Sequence, residues 1–269
     1  MDPVFVQIGP ITIRYYGLMY IIAFALVYLL VLYRLKDEPR FKVSKGQVGD
    51  ISANMMIGII IGARLGYVIF YDLGYYLLHP LEIFLPFTFS GGFRFVGIAG
   101  MSFHGGFIGV ILAAWLYIRK TELSFLDIAD LFIPAIPLGY TFGRLGNFIN
   151  GELYGRITTS PIGMRFPLAP GFSLRHPSQL YEAFFEGVVL FAILWSIRKI
   201  KLKRGMMIPL YLIGYGLARY FIEYFRQPDA HLGLFFGTFS MGQILSAAMI
   251  LSGLGLAIYL SRQTDGEED

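Results

Sequence analysis

The sequence predicts an all-α polytopic membrane protein of about seven transmembrane helices, and three observations carry that expectation. Apolar residues fill 56% of the 269 positions and charged residues only 15%, and the mean hydropathy is +0.61. Apolar runs recur along the whole chain, whereas a soluble fold of this length would confine them to one core and keep charge outside. The basic residues sit between the apolar runs, which is the arrangement that membrane topology produces.

A span needs about 20 mostly apolar residues at a rise of about 1.5 Å each. The first such stretch is Tyr15 to Leu35, opening on Tyr15, Tyr16 and Tyr20, as an interfacial aromatic belt would. Ile51 to Tyr71 and Val96 to Ile118 follow, the third holding Ser102-Phe103-His104-Gly105-Gly106. Leu131 to Ile149 ends in a polar run. Gln179 to Ile197 is preceded by Pro177 and Ser178, residues suited to starting and capping a helix. Met207 to Phe225 and Phe239 to Leu260 complete the set. Met1 to Ile13 is mixed in polarity and lacks a basic start, so it does not read as a cleavable signal.

Lys and Arg in the connections alternate in number, which sets orientation. Arg34, Lys36, Arg40, Lys42 and Lys45 follow the first span, Arg119 and Lys120 the third, and Arg198, Lys199, Lys201, Lys203 and Arg204 the fifth. These loops are expected in the cytoplasm, with the N-terminus outside and the C-terminus inside. Arg156, Arg165 and Arg175 break the alternation, because they lie in an outward segment, residues 151–178. That segment is rich in proline and glycine and long for an unstructured connection, so we expect a small periplasmic cap or lid. The chain as a whole, residues 1–269, is expected to form a single integral membrane domain, and the acidic tail Asp265 to Asp269 a solvated end.

The formal charge of +4 does not imply nucleic acid, given where the cations lie. The chain has no cysteine, which excludes disulfides, a thiolate nucleophile of its own and sulfur-ligated metals. His79, His104, His176 and His231 lack metal-ligand spacing, and no serine elbow is present. No metal or cofactor is expected.

Ionisable residues inside spans are costly and face a partner, a bundle interior or a wet cavity. His104 stands beside paired glycines that admit another backbone or a lipid headgroup, so it either exchanges a proton or is a hydrogen-bonded helix end. The densest polar run is Gly143 to Arg156. If the helix persists, Arg144, Asn147 and Gly151 share one face. A guanidinium with amides around it suits a phosphate oxyanion, although pairing of Arg144 with Glu152 or another carboxylate is the structural alternative. Tyr215, Arg219 and Glu223 follow one another at i, i+4 on the sixth span, with Arg226 beyond. They form either an ion pair or part of a shared anion site. Glu182 and Glu186 on the fifth span line a cavity or pair with arginine across the bundle.

These segments resemble the bacterial prolipoprotein diacylglyceryl transferases. The resemblance is carried by Tyr16-Gly17-Leu18-Met19-Tyr20, the Ser102 to Gly106 segment, Gly143 to Arg156, Arg175 to Glu182, Glu223 to Asp229, and Ser240-Met241-Gly242-Gln243. It implies an enzyme of the bacterial inner membrane, with its active site toward the periplasm. The implied donor is phosphatidylglycerol and the acceptor the lipobox cysteine of a prolipoprotein signal peptide. A thioether forms and glycerol 1-phosphate leaves, the first step of lipoprotein maturation. The catalytic candidates are His104 as base, Arg144 and Arg219 as stabilisers of the leaving phosphate, and Glu152 and Glu223 holding the arginines. Tyr16, Asn147, Asn150, Gly155, Tyr215 and Arg226, with Arg144 and Arg219, are the substrate-binding candidates. A transporter, a lipid-binding scaffold and a phospholipase are the rival readings of charge inside spans.

Overall fold

The structure is a computed structural model that describes residues 2–9, 11–88, 93–95, 100–227, 235 and 238–263. The expected start of the third span at Val96, the Pro228-Asp229 end of one motif, His231 and the acidic tail Asp265 to Asp269 lie outside those residues. In chain order, a hairpin of β1 (Val4–Ile8) and β2 (Ile11–Arg14) leads into α1 (Tyr15–Asp37) and α2 (Lys45–Tyr71). The short α3 (Leu73–Leu78), a 3-10 turn (Pro80–Ile83) and a second hairpin of β3 (Phe87–Thr88) and β4 (Arg94–Phe95) precede α4 (Phe103–Ile118). Next come α5 (Phe125–Phe132) and α6 (Ile136–Asn150), then α7 (Ser178–Glu182) and α8 (Leu190–Ile197). The chain ends in α9 (Met207–Ile222) and α10 (Met241–Arg262).

Among the described residues, five helices are long and apolar enough to cross a bilayer: Tyr15–Asp37, Lys45–Tyr71, Phe125–Asn150, Ser178–Ile197 and Met241–Arg262. Phe103–Ile118 and Met207–Ile222 are shorter apolar helices. All seven coincide with the expected spans, with boundaries corrected by local caps. The second helix starts at Lys45, not near Ile51, because Ser44 and Gln47 form a reciprocal capping box. The third starts at Phe103, where the Ser102 hydroxyl accepts from the Gly105 amide. Ser178 is not a cap. It is the first residue of α7, and its hydroxyl donates to the Leu153 carbonyl at 2.9 Å.

The chain forms two compact units, Met1–Phe41 with Leu126–Asp269, and Lys42–Phe125. In the Lys42–Phe125 unit, α2 and α4 meet along a glycine seam. Gly58, Gly62 and Gly66 of α2 lie against Gly105 and Gly109 of α4, so closely that a β-carbon at Gly62 would overlap the Gly105 carbonyl. A bilayer gives helices no hydrophobic reason to associate, so close backbone packing has to supply the attraction. The neighbour that the glycines beside His104 admit is thus the backbone of α2. Arg64, 4% exposed, ties the following segment to this pair by donating to the carbonyls of Ile83 and Glu82 at 2.5 and 2.7 Å.

In the other unit, α1 packs on α6 and α9 on α10. Gly146 leaves room for the Tyr16 ring, and Gly216 and Gly253 for the facing α9–α10 surfaces. Arg34 is fully buried, unlike the exposed Lys36, Arg40, Lys42 and Lys45 counted with it as loop cations. Its guanidinium forks onto Glu38 at 2.6 and 2.8 Å and donates to the Asp130 and Leu131 carbonyls at 2.6 and 2.5 Å. The Asp130 carboxylate in turn accepts from the amides of Gly205 and Met207 at the start of α9.

The seam predicts a contrast that thermal unfolding in detergent will check. Gly62→Ala should destabilise by about 1–3 kcal/mol through overpacking. Gly106→Ala, whose β-carbon would come no closer than 3.4 Å to Ala63, should not destabilise, since inside a helix alanine is favoured over glycine by about 0.5–1 kcal/mol.

Candidate active site

The site is built on one buried carboxylate. Between α7 and α8, residues Ala183–Val189 form a π-helical segment, a local widening that is frequent at functional sites. Glu182 precedes it and Glu186 lies inside it, and both are wholly buried. Gly187 lets the segment press against α6, since a β-carbon there would collide with Thr141.

Three guanidiniums converge on Glu182. Arg144 Nε of α6 lies 2.9 Å from Oε2, while Arg219 Nη1 of α9 and Arg226 Nη1 lie 2.6 and 3.0 Å from Oε1. Arg219 also meets Glu223 at 2.8 Å through Nη2, and Glu186 at 3.8 Å. Glu223 is held from its other side by the Ser240 hydroxyl at 3.0 Å, and Gly242 is small enough to admit its carboxylate. The Arg144 Nε–H donates to the Tyr140 hydroxyl at 2.6 Å, which itself donates to Glu186. Three arginines thus face three glutamates, and each group is fixed by at least one other. The Arg144, Arg219 and Arg226 side chains retain 15–17% exposure. Arg144 Nη2 and the Nε and Nη2 of Arg226 have no hydrogen-bond acceptor among the described residues.

Of the two readings open for Glu182 and Glu186, pairing with arginine across the bundle is realised. The Arg219 to Glu223 pair expected on one face also forms. Arg144 pairs with a carboxylate, as its structural alternative held, but with Glu182 rather than Glu152. Glu152 instead accepts from Asn147 and Asn150 at 2.8 and 3.2 Å, and Asn147 accepts from Arg144 Nη1 at 3.3 Å. The geometric reason is that α6 ends at Asn150, with Gly151 in the left-handed region at φ 71°. Beyond that turn the chain leaves the helix face that carries Arg144 and Asn147, and Glu152 folds back onto Asn147 and Asn150.

Gly155 acts through its backbone. It forms a β-bridge with Arg226, its amide donates to the His176 carbonyl at 2.8 Å, and its carbonyl accepts from Arg175 at 3.2 Å. Arg156 donates through its amide to the Phe225 carbonyl and through Nε to that of Arg226, both at 2.9 Å. Two of the three cations that broke the loop pattern therefore bind backbone and locate Arg226. The third, Arg165, lines a cavity of about 360 Å³ together with Arg14, Asn150, Glu152 and Phe166.

Tyr215 lies edge-on to Tyr140 at 5.8 Å, and the Tyr16 hydroxyl is 3.0 Å from that of Tyr20. His104 belongs to the Lys42–Phe125 unit, exposed on the first turn of α4 with its ring edge-on to Phe103. The residue missed in the sequence is Tyr140. Its position one helical turn before Arg144 was the available signal.

Chemically, the cluster presents fixed, unsatisfied guanidinium donors at the rim of a neutralised core. Such donors match an anionic oxygen at the surface of an apolar bundle. The model of a family described as prolipoprotein diacylglyceryl transferase matches residues 3–259. A protein of Chlorobaculum tepidum named Phosphatidylglycerol--prolipoprotein diacylglyceryl transferase is 55% identical over 269 residues, covering 100% of this chain and 93% of its own length. Proteins of the same name from Bordetella avium and Geobacter sulfurreducens are 47% and 46% identical, over 98% and 99% of this chain and 96% and 98% of their own. Likeness at this level over essentially the full length establishes that the chain belongs to the prolipoprotein diacylglyceryl transferase family.

Proposed function

We propose that the chain transfers the diacylglyceryl group of phosphatidylglycerol to the lipobox cysteine thiol of prolipoproteins, the first step of lipoprotein maturation. The observation that carries this reading beyond family membership is the convergence of Arg144, Arg219 and Arg226 on Glu182, with donors of Arg144 and Arg226 left over.

In the reaction, the cysteine thiolate attacks the lipid's glycerol carbon, a C–S bond forms, and the C–O bond to phosphate breaks. The bonding electrons leave with glycerol 1-phosphate, whose charge grows from that of a diester to that of a monoester. Donors already fixed in position stabilise growing charge without reorganising, and this effect is largest where water is excluded. Arg144 and Arg226 take the phosphate oxygens in this scheme. Arg219, held between Glu182 and Glu223, sets the local field. Asn147, Asn150, Tyr16 and Tyr215 orient the headgroup, Glu152 keeps the two amides in place, and Gly155 locates Arg226. A thiol ordinarily titrates at about 8.5, so its proton needs an acceptor, and His104 fills that role.

The enzyme works in the bacterial inner membrane as a single domain, residues 1–269, with the N-terminus outside and the C-terminus in the cytoplasm. The site opens toward the periplasm beneath residues 151–178 as a cap. The exposed cations Lys36, Arg40, Lys42 and Lys45 in one connection and Lys199, Lys201 and Arg204 in another support this orientation.

Purified protein in detergent, supplied with phosphatidylglycerol and a lipobox peptide, should add a diacylglyceryl mass to the peptide and release an equal amount of glycerol phosphate. A Cys→Ser peptide should gain nothing. Lipid binding without either product would favour the scaffold reading. Arg144→Ala should lower turnover by about 10²–10³-fold, the usual cost of losing a donor to developing negative charge. Replacing His104 by Ala should lower turnover by about 10²–10⁴-fold near neutrality, with partial recovery as rising pH supplies thiolate directly. Unchanged turnover at every pH would remove His104 from the mechanism.

A further inference from the structure

Arg144 is the one arginine of the cluster held by a neutral hydroxyl as well as by carboxylate. Its Nε stands 2.6 Å from the Tyr140 oxygen and 2.9 Å from Glu182. A single Nε–H cannot point fully at both. Tyr140 has its own hydrogen directed at Glu186, a fully buried carboxylate, so its oxygen lone pairs are turned toward Arg144. The Arg144 guanidinium also lies 4.8 Å from the centre of the Tyr140 ring, which fixes the plane of the fork as well as one of its edges. The Tyr140 ring is in turn set edge-on against Tyr215. Nothing in the reaction scheme so far uses Tyr140 or Glu186.

The geometry points to Tyr140 and Glu186 as positioning residues that hold Arg144 through its Nε, so that its Nη2 is presented to a phosphate oxygen of the lipid donor. This role rests on the transferase reading of the site. Glu186 orients the phenol hydrogen, the phenol oxygen holds Nε, and the π-helical segment Ala183–Val189 brings the Glu186 carboxylate to the phenol. The clamp acts by placement, so its loss should appear in turnover. The acceptor peptide makes no use of it, so the peptide KM should be unmoved. A misplacement on the scale of an ångström is enough to cost about 10²-fold in rate.

The experiment compares wild type, Tyr140→Phe, Arg144→Lys and the double variant in detergent with phosphatidylglycerol vesicles and a lipobox peptide, following glycerol phosphate release and peptide mass. Phenylalanine keeps the ring against Tyr215 and removes only the hydroxyl. Lysine keeps the charge of Arg144 but has no Nε edge to clamp. The expected result is a fall in kcat of about 10- to 100-fold for Tyr140→Phe, with peptide KM and melting temperature within error of wild type. Adding Tyr140→Phe to Arg144→Lys should cost less than twofold more. Glu186→Gln, which keeps a hydrogen-bond acceptor for the phenol, should retain more activity than Glu186→Ala. Wild-type-like kcat in Tyr140→Phe, or full multiplication of the two losses in the double variant, would overturn the clamp while leaving the transferase reading intact. A wild type that lipidates no peptide would overturn both.

Discussion

Glu182 is a carboxylate wholly removed from solvent, and the organisation of the site follows from that constraint. Burying a lone carboxylate costs several kcal/mol even after the protein relaxes, and the debt is met only by close, well-aligned cations. Arg144, Arg219 and Arg226 meet it from two helices and the stretch just beyond α9. Each arginine then has to be held in its turn, which accounts for Tyr140, Glu186, Asn147, Glu223 and Ser240. Replacing such a network by aliphatic residues would serve stability as well or better. Rigidly held charge of this kind suits the proposed transfer, because it need not rearrange during reaction.

The network explains the behaviour of segment 151–178 as well. Its arginines read as misplaced cations in a loop count, yet Arg156 Nε donates to the Arg226 carbonyl, and Arg175 Nη1 to the Gly155 carbonyl and the Gln227 side chain. A segment with four prolines and several glycines forms isolated bridges rather than long strands, pairing Gly155 with His176, Thr158 with Leu174 and Met164 with Arg175 through the backbone, and the arginine side chains add to that pairing. The result is a firm placement of Gly155 against Arg226, which fixes the third cation of the cluster from outside the helices.

Much of this was legible in the amino-acid order. Hydropathy located seven helices because length and apolar content are local properties, and the i, i+4 relation of Arg219 to Glu223 is local too. Glycines 105 and 106 announced a close approach without naming the neighbour. Contacts between helices were harder. Whether Arg144 meets Glu152 or Glu182 depends on where α6 ends and on how a distant helix is turned, and neither is encoded in the spacing around Arg144. The π-helical segment is a further case: Glu182 and Glu186 read as one face of an ordinary helix, and nothing in Ala183–Val189 signals a wider turn. Tyr140 passed as one aromatic among 18 tyrosines, since its importance comes from Glu186, a residue 46 positions away.

The division of the chain has a consequence for how the molecule is made. Residues 42–125 interrupt the other unit, so α1 leaves the ribosome well before α6, against which it packs. At about 5–20 residues per second, synthesis of the intervening stretch takes roughly 4–17 s. During that interval α1 carries Arg34 without the carbonyls of Asp130 and Leu131 that later bind it. Its own Glu38, the residue that caps α1 four positions on, is already there to match the charge. The α2 and α4 seam closes over a short stretch of chain and needs nothing from later synthesis. Glu182 emerges after Arg144 and before Arg219 and Arg226, so the site can acquire its full charge balance only when the last two arginines have been added.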